Sequence, residues 1–279
     1  MIAKDLQAFL RSLNGGWMDL ENTVDTYKSG DPDAEITGIA VSWMSTGEAL
    51  ARAQAQGCNV FVTHEPTYYN HRDDPDSPIF ELAGARDKRA FVKETGLTII
   101  RCHDLWDQVP EVGIPDAWGQ ALGLGQAIAG EGYYRVYDVS GRTAGDVARQ
   151  VAAKSAIFGQ EAVQLIGDPD KPVTRVAIGT GAITPLFAYI AAFDIDLAIC
   201  TDDGFTYWQH GAYAMDAGLP VIIVNHATSE EPGMMRLANT IQAQFPLVSV
   251  HFIPRGCVYR MIGAEEGNEG GQREWIGSV

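Results

Sequence analysis

From about residue 36 onward, apolar residues come in short unbroken runs separated by polar, Gly-rich breaks. Runs of roughly four to eight residues are too short for helices and mark strands buried on both faces. Ile36 to Trp43, Val60 to Thr63 and Leu97 to Cys102 are three of these. The segments between them carry helix signals. Ser45 with Glu48 reads as a capping box for a helix over Ala49 to Gln56, and Gly57 suits its C-terminal stop. Ser77-Pro78 opens the next helix with proline at the first helical position, and Gly96 ends it. This βαβαβ order predicts a parallel sheet covered on both sides.

The pattern changes after Ala121-Leu122-Gly123-Leu124-Gly125. Tyr133 to Val139 alternates as a half-exposed, antiparallel strand. Thr143 caps a helix reaching about Ser155, and Ala162 to Ile166 is extended again. Arg175 to Ile178 is a strand, Thr184-Pro185 opens a helix, and Ile195 to Cys200 is another strand. A helix near Tyr207 to Ala217 leads into the strand Val221 to Asn225. A last helix, Gly233 to Phe245, and a strand, Leu247 to Ile253, follow; Gly267 to Gly271 reads as a loose loop. The expected fold is α/β, with two interlocked units of mixed, mostly parallel sheets and helices on both faces. Residues 1–125 with 227–279 form one discontinuous unit, and 126–226 an inserted one.

Composition narrows the function. A formal charge of −16 argues against nucleic acid as a partner, because phosphate binding relies on clustered Lys and Arg. A small anionic substrate stays compatible if a metal supplies local positive charge. The opening Met1-Ile2-Ala3-Lys4-Asp5 has no apolar signal core, and no apolar run is long enough to span a bilayer. Cys58, Cys102, Cys200 and Cys257 lack CxxC spacing and read as small buried hydrophobes in a reducing cytosol. A cytoplasmic protein with no membrane contact is therefore expected.

The chemistry concentrates at strand ends. Three of the six histidines directly follow apolar strands: His64 after Val60 to Thr63, His103 after Thr98 to Cys102, and His226 after Val221 to Asn225. Each has a carboxylate close behind. Glu65 is the next residue after His64, and Asp107 and Glu230 each lie four residues beyond their histidine. On a helical turn that spacing returns the carboxylate to the imidazole's face. Open α/β folds gather ligands beyond the carboxyl ends of their strands. Mixed imidazole and carboxylate donors there suit first-row divalent metals. Carboxylates can bridge two cations, so a pair of metals is permitted, with the site at the strand ends between the two units. A single histidine at a strand end is more often structural; the threefold repetition favours ligation.

Other residues leave alternatives open. Asp202-Asp203-Gly204 either faces the same crevice or makes a helix-capping turn. Gly179-Thr180-Gly181 either cradles an anion or allows tight packing. His71 lies in an Asp/Pro loop as a solvated residue or a pocket rim, and His210 and His251 read as structural. Tyr68, Tyr69, Trp106 and Trp208 lie near the histidine blocks, as packing or as stacking platforms for a ring.

These blocks resemble the Nif-three-like dinuclear metal-centre proteins, a group that includes proteins called GTP cyclohydrolase I type 2. Val62-Thr63-His64-Glu65-Pro66 is similar to the family's strand ending in His-His-Pro, and His103 to Asp107 to its His-x-x-x-Asp. Asp116 to Leu124 matches the segment that follows. Val176 to Gly181 and Asp196 to Asp202 resemble its Gly-rich and Thr-Gly-Glu segments, and His226 to Glu230 its closing His-x-x-Ser-Glu. Two positions depart from the pattern: Glu65 stands where the family has a second histidine, and Thr201-Asp202-Asp203 replaces Thr-Gly-Glu. Glu65 is a harder donor that either shifts preference from Zn towards Mn or Fe or weakens one of the two sites.

The resemblance implies His64, Glu65, Asp107, His226 and Glu230 as ligands of two divalent metal ions per chain, whether Zn, Mn or Fe. Asp107 and Glu230 are the bridge candidates, and His103 stands behind the ligands or shuttles protons; the catalytic residues expected are His103 and an Asp of the 202–203 pair, Asp202. It also implies a homohexameric ring, for which Tyr133 to Val139 offers an exposed pairing edge. The expected activity is hydrolysis of a small, nucleotide-like or heterocyclic substrate by a metal-bridging water. The rival expectation is a non-catalytic metal-binding scaffold or regulator acting through its oligomer.

Overall fold

A computed structural model describes residues 1–184 and 186–262. Two sheets organise the chain. The first has the order β1-β4-β3-β2-β11, from Tyr27–Ser29 (β1), Ile39–Ser42 (β2), Val60–Thr63 (β3), Thr98–Arg101 (β4) and Val250–Phe252 (β11). The strands β11, β2, β3 and β4 run parallel, and β1 closes the far edge antiparallel to β4.

The three central strands are buried along their whole length, which explains their unbroken apolar runs. Successive side chains point to opposite faces. Ile39, Val41, Val60, Val62 and Ile100 pack against α1 (Ala3–Ser12) and α8 (His226–Gln244). Ala40, Phe61 and Ile99 face α2 (Gly47–Ala55) and α3 (Ala83–Thr95).

The second sheet has the order β5-β6-β8-β9-β10-β7. Its strands are Ala129–Glu131 (β5), Tyr134–Thr143 (β6), Gln164–Ile166 (β7), Pro172–Ile178 (β8), Leu197–Thr201 (β9) and Val221–Val224 (β10). The strands β8, β9 and β10 are parallel, while β5, β6 and β7 pair antiparallel. Trp118 and Leu122 of α4 (Ile114–Leu122) share one face with Val147 and Val151 of α5 (Ala144–Ser155). The other face is covered from α6 (Leu186–Ala192) and α7 (Ala212–Ala217) by Leu186, Tyr189 and Ala214. The mixed α/β class is as expected from the sequence pattern.

Several elements differ from the expectation. Thr46, not Ser45, caps α2 by accepting from the Ala49 N–H, while the Ser45 hydroxyl bonds Thr67. Ser77-Pro78 opens only the short 3₁₀ turn Pro78–Glu81, and α3 starts at Ala83. The Tyr207–Gly211 stretch is a π turn before α7. Strand β6 pairs with β8 on one side, and on the other β5 covers only Tyr134 to Val136. The Gly267 to Gly271 loop and Pro185 lie outside the described residues.

The largest difference concerns α8. It begins at His226, seven residues before the expected start at Gly233, and passes through Pro232. The packing holds it together there. A Cβ on Gly233 would meet Ile114 Cδ1 at 2.5 Å, and the Gly233 carbonyl accepts from the Trp106 indole at 2.9 Å. No helix among the described residues is long and apolar enough to cross a membrane.

Candidate metal centre

The residues that follow β3, β4 and β10 meet in one cluster. After β3 the chain curls so that the His64 and Glu65 N–H groups both donate to the Trp43 carbonyl, at 3.2 and 2.9 Å. Pro66 then keeps Glu65 out of helical backbone, and its side chain splays from that of His64. After β4, the buried Asp25 carboxylate accepts from the His103 and Leu105 N–H groups at 2.6 and 2.9 Å. This fixes a single turn in which the Asp107 N–H donates to the His103 carbonyl at 3.0 Å. Asp107 Oδ2 thereby lies 3.6 Å from His103 Nδ1. On α8, one turn brings Glu230 Oε2 to 3.1 Å from His226 Nε2.

Three groups of donor atoms lie within 4.8 Å of one another: His64, Asp107 and Glu230; Glu65, His226 and Glu230; and His64, Glu65 and His103. The first two groups share Glu230, the arrangement a bridging carboxylate requires. Asp107 belongs to one group, and Glu65, like Glu230, to two. His103 stacks on His64 with ring centroids 4.4 Å apart and lies within ligand reach.

The imidazoles are oriented by their second nitrogens. His64 Nδ1 meets the Cys102 carbonyl at 3.1 Å and so carries the proton, leaving Nε2 as the donor aimed into the cluster. That Nε2 is buried and has no hydrogen-bond partner. His226 Nδ1 lies 3.1 Å from Asp203 Oδ2, which likewise turns Nε2 towards Glu230 and Glu65. Glu230 Oε2 also accepts from the Trp43 indole at 2.7 Å.

The electrostatics demand positive charge. Burial alone would push the His64 imidazole down, yet the carboxylates of Glu230, Asp107 and Glu65 outweigh it and carry it up to about 9. Burial raises Asp107 to about 6 against the pull of His103 and His64. Three carboxylates crowded around two imidazoles are stabilised either by protons on the rings or by bound cations. The orphaned His64 nitrogen and the oxygen-rich set fit divalent cations.

A cavity of about 230 Å³ adjoins the cluster, walled by His71, Tyr133 and residues 180–183. Gly181 has φ +58°, and a Cβ there would lie 2.7 Å from Glu230 Oε1 and 3.0 Å from His226 Nε2. The Gly-x-Gly stretch is thus an approach to the cluster, not the start of a helix. Asp202 departs from its expected catalytic place. Its carboxylate accepts from the Asn225 amide at 2.8 Å and the His226 N–H at 2.9 Å, capping α8, and it lines a separate cavity of about 650 Å³. Asp203, not Asp202, faces the cluster.

Among the four aromatics, Trp106 is fully buried, Tyr68 packs edge-on to Phe80, and Tyr69 and Trp208 are exposed. None lines the cavity; Tyr133 does, and only the hairpin geometry brings it there. Sequence reasoning also missed Trp43, Asp25 and Arg101. Trp43 and Arg101 stand at the ends of β2 and β4, the one signal they carry.

The chain matches the Duf34/NIF3 (NGG1p interacting factor 3) description over residues 24–256. It belongs to that family. It is also similar to a GTP cyclohydrolase 1 type 2 homolog of Clostridium perfringens, 22% identical over 221 residues, covering 76% of this chain and 80% of the relative. A Bacillus cereus protein related to NIF3 superposes with a TM-score of 0.77 at 13% identity, covering 95% of this chain and 99% of the other. A Staphylococcus aureus hypothetical protein superposes with 0.74 at 18% identity, covering 94% and 99%. At such identities these structures speak for the fold alone.

Proposed function

We propose that this Duf34/NIF3 protein is a metal-dependent hydrolase of a small heterocyclic or nucleotide-like substrate. His64, Asp107 and Glu230 would hold one divalent cation, and Glu65, His226 and Glu230 a second. The observation that carries the reading is the buried His64 Nε2, without a hydrogen-bond partner and aimed at two carboxylates beside an open cavity. A structural metal site is closed, whereas this cluster has a pocket next to it. Divalent cations there would supply Lewis acidity, polarising a carbonyl or phosphoryl oxygen so that its carbon or phosphorus becomes electrophilic, and would activate water near neutral pH.

The chain's own groups do the rest. Trp43 and Asp203 fix the directions of Glu230 and His226, so the donors are organised before anything binds. His103 is the proton-moving residue. Its Nδ1 bonds Asp104 Oδ1 at 2.8 Å, and Asp104 is held in turn by the Thr23 hydroxyl and the Val24 N–H. Although half-buried, Asp104 stays ionised, since bonds from His103 and Thr23 hold its carboxyl well below the usual range. An oriented imidazole backed by a carboxylate is the form a general acid–base takes. Tyr133 and His71 would flank a ring in the cavity, and residues 180–183 would bound it on the other side.

The test is metal analysis of protein purified without chelator, followed by a hydrolase substrate panel with and without chelator. Metal-dependent turnover is expected. A metal-loaded protein inert on a broad panel would favour the scaffold reading, in which the cluster serves assembly. A homohexameric ring in the cytoplasm remains part of the proposal on family resemblance, and a monomer mass by light scattering at micromolar concentration would contradict it.

A further inference from the structure

Arg101 ends β4 and is 1% exposed, as buried as the core around it. A guanidinium taken out of water is costly unless its charge is matched and its donors are used. Nε donates to the His64 carbonyl at 2.8 Å, and Nη1 donates to the His71 carbonyl. Nη2 is buried and makes no hydrogen bond. Among the described residues, the carboxylate in ion-pair range is that of Glu65, whose Oε2 lies 3.8 Å from Nη2. The other oxygen of Glu65 points elsewhere: Oε1 lies 3.4 Å from His226 Nε2 and 4.0 Å from His103 Nε2. The two oxygens of Glu65 are therefore divided between the guanidinium and the ligand cluster.

We propose that Arg101 makes Glu65 a one-oxygen ligand, occupying its second oxygen and offsetting the charge that distinguishes it from an imidazole. The inference rests on the reading of the cluster as a cation site. An unrestrained glutamate can chelate through both oxygens, which favours larger, oxygen-seeking cations. With Oε2 reserved by Arg101, only Oε1 is offered, as a histidine at this position would offer only one nitrogen. Arginine suits the task because its rigid fork donates to two carbonyls while its third nitrogen faces Glu65; a lysine ammonium is a point charge on a flexible stem. Arg101 is in this sense a positioning residue, acting on the metal through Glu65.

Two measurements test it on the full chain. The first is competition between Zn and Mn, followed calorimetrically in the parent, Arg101→Met, Arg101→Lys, Glu65→His and the Glu65→His/Arg101→Met double variant. Arg101→Met should move the preference towards Mn by about tenfold, because Glu65 gains a second free oxygen. The same substitution should leave the preference of the Glu65→His protein unchanged. Arg101→Lys should shift it in the same direction by less, and it serves if Arg101→Met does not fold. No shift in the Glu65 background, or an equal shift in both backgrounds, overturns the proposal.

The second measurement needs no metal. In chelator, urea unfolding of the parent, Arg101→Lys, Glu65→Gln and their double variant should show coupling of about tenfold in the unfolding equilibrium constant. Additive losses overturn the pairing even if metal binds. A parent that takes up no metal while the coupling is present overturns the cation-site reading and the ligand role together, leaving only a structural ion pair.

Discussion

Gly181→Ala separates a backbone effect from an effect on the proposed metal centre. Gly181 has φ +58°, where an alanine costs about 1 kcal/mol more than glycine. Its new Cβ would also lie 2.7 Å from Glu230 Oε1, well inside ordinary contact distance. Glu230 cannot simply retreat, because Trp43 holds its other oxygen at 2.7 Å. His226, 3.0 Å from the same Cβ, is anchored by Asp203. Relieving the clash therefore displaces the carboxylate shared by both donor groups. A displacement of that kind should cost about 1.4–2.8 kcal/mol in metal binding, a tenfold to hundredfold loss of affinity.

Gly218→Ala is the control. Gly218 has φ +60° and nothing within 4 Å of the added Cβ, so it shares the backbone strain without the clash. Gly218→Ala should lose about 1 kcal/mol of stability in chelator by urea unfolding, and Gly181→Ala somewhat more, because the clash adds to the strain. Only Gly181→Ala should lose metal affinity by calorimetric titration. Parental metal affinity in a folded Gly181→Ala protein would refute the reasoning, since the loop would then be free to move away from Glu230.

Glu230→Ala should remove both cations, whereas Glu65→Ala should remove one and leave the His64–Asp107–Glu230 group loaded; equal losses by elemental analysis would mean that Glu230 is not shared. His103→Ala should lower turnover about a hundredfold with metal content nearly unchanged, and a parallel loss of metal would make His103 a ligand in place of a proton carrier. Lys88, 9% exposed, donates to the Thr67 carbonyl, and burial pushes its ammonium down to about 8 from an ordinary 10.5. Between those two values the unfolded chain holds the proton that the folded one has lost, so this lysine makes stability rise with pH, by up to ~3 kcal/mol. The stability advantage of Lys88→Met should accordingly shrink from pH 7 to pH 10 in urea unfolding, and parallel curves would mean that the buried lysine is not desolvated as described.

What the sequence determined by itself was local. The strands β3, β4 and β10 were legible because burial on both faces leaves an uninterrupted apolar run, and their ends located His64, His103 and His226. The four-residue spacings to Asp107 and Glu230 were legible because one helical turn converts them into contact, whatever lies elsewhere. Tertiary structure decided the rest. The start of α8 at His226 was hidden behind Pro232, and its continuation depends on packing against Ile114 and Trp106 from another part of the chain. Which carboxylate is shared follows from Trp43 meeting Glu230, residues 187 positions apart. The roles of Asp202 and Asp203 differ because adjacent side chains leave the end of β9 in different directions, one capping α8 and the other reaching His226. The roles of Gly181 and Tyr133 could not be read locally, because what sets them beside the cluster is the juxtaposition of two sheets, and the role of Arg101 could not, because it depends on the pairing of β4 with β3. Periodicity reports which face of an element is buried; it carries no information about which distant residue it is buried against.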